Sequence, residues 1–286
     1  IDIVLDLIDN YIDGFHNSYE WGYSIPYFLA GSHSAHVNNI SYLSAKAGIA
    51  SRDINFLLNR LDPVERKRYD YSLLEKTYLD YQNTHCEDDS AIASLQNALS
   101  GKDILVLLPG HTIKTCQGQI QHFYKEKNPI VISVNLLTDC YPIDFAYFSN
   151  KNRYQYWRNE AAFNKCKKIV TSNVTTRKDD NLFIIDFLRL VKCGWEQLDN
   201  SGVLLLRLLD LMNVNSISIA GFDGYSHNSE NPNYVEKAME KTRNTLNAEE
   251  ANKDIKSMLV DYKNTRKSSC PISFITPSYF ETVMDE

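Results

Sequence analysis

Short apolar runs recur along the second two thirds of the chain, and each stops at a small polar residue. Ile104 to Leu108 ends at Pro109-Gly110-His111, Ile130 to Val134 at Asn135, and Phe145 to Phe148 at Ser149-Asn150. Lys168 to Thr171 ends at Ser172-Asn173, and Ile217 to Ala220 at Gly221-Phe222-Asp223-Gly224. Runs of this length, rich in Val and Ile and separated by stretches of helical character, predict buried parallel strands. The alternation predicts an α/β fold over residues 102–286, a doubly wound, mostly parallel sheet. Asn and Gly at strand ends are also ordinary turn formers. A row of such tips nevertheless suggests a polar small-molecule site, because ligands of open α/β sheets bind outside the carboxyl ends of the strands.

The first 82 residues have a different period. Ile1, Val4, Leu5, Ile8 and Ile12 lie on one helical face, and Ser51 with Asp53 caps a run whose apolar positions are Ile54, Leu57, Leu58 and Leu61. Leu73, Leu74, Tyr78 and Tyr81 repeat the spacing. This predicts an N-terminal helical region, 1–82, then a linker and short capped helix, 83–101, rich in acid at Glu87-Asp88-Asp89 and closed by Gly101. A helix pattern that starts at residue 1 without Met or cap reads as a fragment of a longer protein. Beyond Asn233 a long polar helix to about Arg266 is expected to cover the sheet, and Ser273 to Thr276 to form a last strand.

Composition narrows the partners. A formal charge of −6 over 286 residues argues against a general nucleic-acid binder. Lys151, Arg153, Arg158, Lys165, Lys167 and Lys168 form a local basic stretch, read first as a solvated face and second as a surface for an anion. No apolar run is long enough to span a bilayer and no signal-peptide pattern opens the chain. Cys86, Cys116, Cys140, Cys166, Cys193 and Cys270 lack metal or disulfide-framework spacing, which suits a reducing cytoplasm. His33 and His36 are likewise read as loop residues and not as metal ligands.

Two resemblances bear on function. Trp21-Gly22-Tyr23-Ser24-Ile25-Pro26-Tyr27-Phe28-Leu29-Ala30-Gly31, then Asn38 to Leu43, Arg52-Asp53-Ile54 and Leu74 to Gln82, resemble the helical region after the barrel in 4-hydroxy-2-oxovalerate aldolase-like proteins, which are HMG-CoA-lyase-like metal aldolases. The resemblance implies a parent lyase that makes or breaks a carbon–carbon bond beside a 2-oxo acid with a divalent metal as Lewis acid. The family's barrel, with its metal ligands, has no counterpart in this chain. No metal site or cofactor is therefore expected in the chain itself, and the Trp21–Phe28 turn is expected to pack on the barrel or a second subunit. The Leu108-Pro109-Gly110 turn, Ser201-Gly202 before the apolar run Val203 to Met212, and Gly221-Phe222-Asp223 together resemble the Rossmann-like fold of bacterial lipooligosaccharide sialyltransferases. That resemblance implies a nucleotide or phosphosugar ligand held by Gly110, His111, Asn135, Asn150, Ser201, Gly202 and Asp223. His227, in a polar loop, is the candidate for a general base. The leading expectation is an aldolase's C-terminal part with an appended ligand-binding domain. A nucleotide-sugar transferase of surface-polysaccharide synthesis and a non-catalytic assembly module are the alternatives.

On the aldolase reading, the purified chain should show no retro-aldol turnover with any divalent metal. Chelator-sensitive cleavage of a 4-hydroxy-2-oxo acid by this chain would contradict the placement of the metal site in the barrel.

Overall fold

A computed structural model of the protein describes residues 85–175, 181–195, 200–226, 234 and 248–285. The sheet belongs to a compact unit formed by Asn83–Lys192, Asp199–Lys241 and Thr245–Glu286. The helical region 1–82 lies outside the described residues, as do the Trp21–Phe28 turn, His33, His36 and His227.

The unit is an α/β fold around one all-parallel, seven-stranded sheet. In chain order its elements are α1 (Asp89–Leu99), β1 (Asp103–Leu107), α2 (Thr112–Thr115), α3 (Gln117–Lys127), β2 (Ile130–Val134) and β3 (Phe145–Phe148). There follow α4 (Lys151–Arg158), a 3₁₀ turn (Ala161–Lys165), β4 (Lys167–Thr171), β5 (Leu182–Ile185), α5 (Phe187–Leu190) and α6 (Ser201–Asp210). The last elements are β6 (Ser216–Ala220), α7 (Ala248–Thr265), β7 (Ile272–Phe274) and α8 (Glu281–Asp285). The strands lie in the order β5-β4-β3-β2-β1-β6-β7. From β1 the chain steps outward through β2 to β5, then returns to the other side of β1 with β6. The direction reverses between β1 and β6, which makes that gap the switch point where such sheets open a crevice.

Strand periodicity assigns the two faces. Leu105, Leu107, Val131, Ala146, Phe148 and Val170 share a core with Ile113, Ile120, Trp157 and Phe163 from the α2–α4 side. The alternate residues Ile104, Val106, Ile132, Val134, Tyr147 and Ile169 are buried on the opposite face. Helix α6 contacts β2, and α7 packs on α6. Val203, Leu204, Leu205, Leu206, Leu208 and Leu209 of α6 are all buried, so this helix is apolar nearly all round and lies inside the unit. Its one long polar side chain, Arg207, reaches the Leu190 carbonyl and Asp261 of α7. The polar helix expected from Asn233 onward is described from Ala248. It packs on α6 and α8, and its Ile255, Met258, Leu259 and Tyr262 are buried.

Three features differ from the sequence reading. Residues 85–101, read as linker and capped helix, are built into the α/β unit: Leu95 and Leu99 are fully buried. Asp88, 2% exposed, accepts the Arg189 guanidinium and the Asp186 N–H, which ties the entry of α1 to the end of β5. The acidic cluster thus supplies a buried charge with a partner. The basic stretch also divides, since Arg153 and Lys168 are buried, with Lys168 Nζ 4.9 Å from the centre of the Phe163 ring. Strand β5, an apolar run ending at Asp186, is a further strand that the sequence reading did not single out.

Gly221 tests the packing at the switch point. It has φ +77° and a Cβ there would sit 2.1 Å from the Leu108 carbonyl, whereas Gly101, with φ +67°, has open space around it. Gly101→Ala should cost about 1 kcal/mol by backbone strain alone. Gly221→Ala should cost upwards of about 2 kcal/mol, because the β1 tip must also move. Equal shifts in denaturant midpoint for the two variants would show that the close approach is not under constraint.

Candidate functional site

The carboxyl edge carries two hydrogen-bonded clusters, one on each side of the β1 tip. At the switch point, Gly110 N–H donates to the Gly221 carbonyl at 3.0 Å, closing the β1 turn onto the β6 tip. Gly110 has no room for a side chain, since a Cβ would lie 2.4 Å from that carbonyl oxygen and 2.6 Å from Asp223 Cγ. Asp223 Oδ2 accepts Thr112 N–H at 2.8 Å, and Oδ1 accepts the Thr112 hydroxyl. The His111 backbone N–H also donates to this carboxylate. Thr276, from the segment after β7, accepts Gly221 N–H and shares a hydrogen bond with the Thr112 hydroxyl.

Gly110, His111 and Asp223 are therefore brought together, but in roles that the sequence reading did not foresee. The N–H groups at the start of α2 are taken by the Asp223 carboxylate of the same chain. An anion arriving there would have to compete with this carboxylate for the Thr112 N–H and hydroxyl. Gly110 makes room for β6 and not for a ligand. Burial pushes the Asp223 carboxyl above its usual range, and the Thr112 and His111 donors pull against that shift without cancelling it.

The second cluster joins β2, β3 and α6. Asn135, just past β2, has φ 52°, a left-handed conformation that Asn tolerates. Its carbonyl accepts Trp157 Nε1–H at 3.0 Å, and its Nδ2 donates to Ser201 Oγ at 2.8 Å. Ser149, past β3, donates to the same Ser201 oxygen at 2.7 Å. Asn135 is 9% exposed and its Oδ1 has no hydrogen-bond partner. An unmet buried acceptor costs about 1–3 kcal/mol, so it needs an explanation. Ser201 begins α6, where Asn200 caps the Gly202 and Val203 N–H groups. Gly202 serves packing, because a Cβ there would lie 2.6 Å from Leu108 Cδ2. Asn150 caps α4 by accepting Arg153 N–H at 3.1 Å. At the next tip Asn173 Nδ2 donates to the Ser149 carbonyl, extending the polar row to β4.

Of the predicted residues, Asn135 and Ser201 touch directly, Asn150 adjoins Ser149, and Gly202 lies between the two clusters, 3.4 Å in Cβ position from Phe222 Cζ. The residues that sequence reasoning missed are Thr112, Ser149 and Thr276. Ser149 stood at a quoted strand tip, and Thr112 inside the first turn. Thr276 carried no local signal, since its partners lie on other strands. Among the described residues no group of three or more His, Cys, Asp or Glu could hold a metal ion. No family model matches this chain, and no curated protein matches it.

The raised Asp223 pKa fixes the sign of a pH effect. The folded state holds its proton more tightly than the unfolded chain, so the associated stability is full below the ordinary value of 3.8 and is lost as pH rises through the folded pKa. Wild type should therefore lose stability relative to Asp223→Asn as pH rises above 3.8 toward neutrality. Denaturant unfolding of both proteins across that range measures it, and a pH-independent difference would contradict the shift.

Proposed function

We propose that the α/β unit binds a nucleotide or phosphosugar at its carboxyl edge, with recognition centred on Asn135, Ser149 and Ser201. The observation that carries this reading is the orphaned Asn135 Oδ1 beside a serine that already accepts two hydrogen bonds. A serine accepting twice keeps its own proton to give, so the pair offers a donor and an acceptor to one incoming group. Sugar hydroxyls and base amides are both donors and acceptors, and they suit such a pair better than a bare anion does. The phosphate is assigned away from Gly110, because Asp223 occupies that turn. On the other side of the site the exposed Lys151, two residues beyond Ser149, supplies a cation for it.

The aldolase kinship of residues 1–82 remains part of the proposal. In this reading the whole protein is a metal-dependent lyase and the α/β unit is its ligand-binding appendage. The transferase reading uses the same crevice, with His227 as base, and would add turnover of a nucleotide sugar to binding. The six free cysteines support a reducing compartment, the cytoplasm. No helix among the described residues is long and apolar enough to cross a membrane.

Calorimetric titration with cytidine and uridine nucleotides tests the site. Ser201→Ala and Asn135→Ala should each weaken binding by roughly fivefold or more, the scale of one hydrogen bond. Absence of binding by the wild type, or unchanged affinity in both variants, would remove the reading.

A further inference from the structure

We propose that Tyr279 is the platform on which the planar base of a bound nucleotide stacks, an inference that rests on the crevice being a nucleotide site. Tyr279 is 56% exposed, more than any other large apolar side chain among the described residues. Its backbone is nevertheless held. Tyr279 N–H donates to the Asp223 carbonyl at 3.1 Å, and the Ser278 hydroxyl donates to the Phe222 carbonyl at 2.6 Å while accepting Phe280 N–H at 3.1 Å. Phe280 is fully buried and its ring centre lies 4.9 Å from that of Phe222. Residues 278–280 are thus stapled along the β6 tip, with Phe280 turned in and Tyr279 left out against its edge, 5.5 Å between centres and 78° between planes.

Tyr279 stands beside the residues that follow β6. Gly224, directly after Asp223, has φ +89°, and a Cβ on it would lie 2.8 Å from Tyr279 Cβ. Only a residue without a side chain lets Tyr279 sit this close to the β6 tip. The Asn135 tip and the Asp223 tip are two strand spacings apart, roughly 10 Å, which suits a nucleotide laid across the edge. With its sugar at Asn135 and Ser201, its base falls on the β6 side, where Tyr279 stands. An exposed ring whose backbone is already ordered gives up little freedom on stacking, which favours its use as a contact surface.

The test compares ligands with and without a base. Titrations use cytidine, uridine and adenosine 5′-monophosphates, with ribose 5-phosphate as the base-free probe, on wild type, Tyr279→Ala and Tyr279→Trp. Stacking on one aromatic side chain predicts that Tyr279→Ala weakens all three nucleotides by roughly fivefold to a hundredfold. Ribose 5-phosphate should bind as in wild type, Tyr279→Trp should retain nucleotide affinity, and the thermal midpoint of Tyr279→Ala should be unchanged. Nucleotide binding by wild type that Tyr279→Ala leaves intact, or an equal loss for ribose 5-phosphate, would overturn the stacking role and leave the site itself standing. Failure of wild type to bind any of the three nucleotides would overturn the site and the platform together.

Discussion

The bond between the Asp223 carboxylate and the start of α2 is the constraint on which the carboxyl edge depends. It joins the two strands on either side of the switch point, β1 through the turn that follows it and β6 through its tip. The approach it requires leaves no space for side chains on Gly110 or Gly221, and each would collide with the other strand's backbone. The helix start in turn answers a half-buried negative charge with oriented N–H groups. Because β7 leads directly into Thr276, which bonds both Thr112 and Gly221, the third strand of this group is drawn into the same arrangement.

In the proposed reading, satisfying that carboxylate moves recognition elsewhere. Four helix starts on this edge are answered by the chain itself: α2 by Asp223, α4 by Asn150, α5 by Asp186 and α6 by Asn200. A site of this kind has few free backbone donors with which to hold an anion. What it retains is a set of hydroxyl and amide groups around Ser201 whose hydrogen-bonding capacity exceeds the partners the protein supplies. Such groups discriminate by the positions of donors and acceptors, and they reject a ligand that leaves them unmet.

The cores on the two faces also differ in how they hold the edge. On one face, side chains of α2, α3 and α4 interlock with alternate strand residues, including Trp157, whose indole reaches back to fix Asn135. On the other, the nearly uniform apolar surface of α6 presses Ser201 against the β2 and β3 tips. Packing of Leu204, Leu205 and Leu208 is thus coupled to the placement of a polar residue at the helix's first position.

Strands β1, β2, β3, β4 and β6 were legible because burial on both faces of a parallel sheet leaves a continuous apolar run, and chain reversal leaves a small polar residue at its end. Gly110, Asn135, Ser201 and Asp223 stood out for the same local reason. Their chemistry did not. A glycine reads alike whether it admits a ligand or a neighbouring strand, and an aspartate reads alike whether it contacts substrate or caps a helix. The difference lies in contacts such as Thr112 with Asp223, 111 residues apart in the chain. Sequence alone determined the α/β alternation and the row of polar tips, since both follow from local periodicity and turn geometry. Only the tertiary structure decided the strand order, the inclusion of residues 85–101, and which tips face each other, because hydrogen bonding and close packing between distant segments leave no mark in the spacing of residues along the chain.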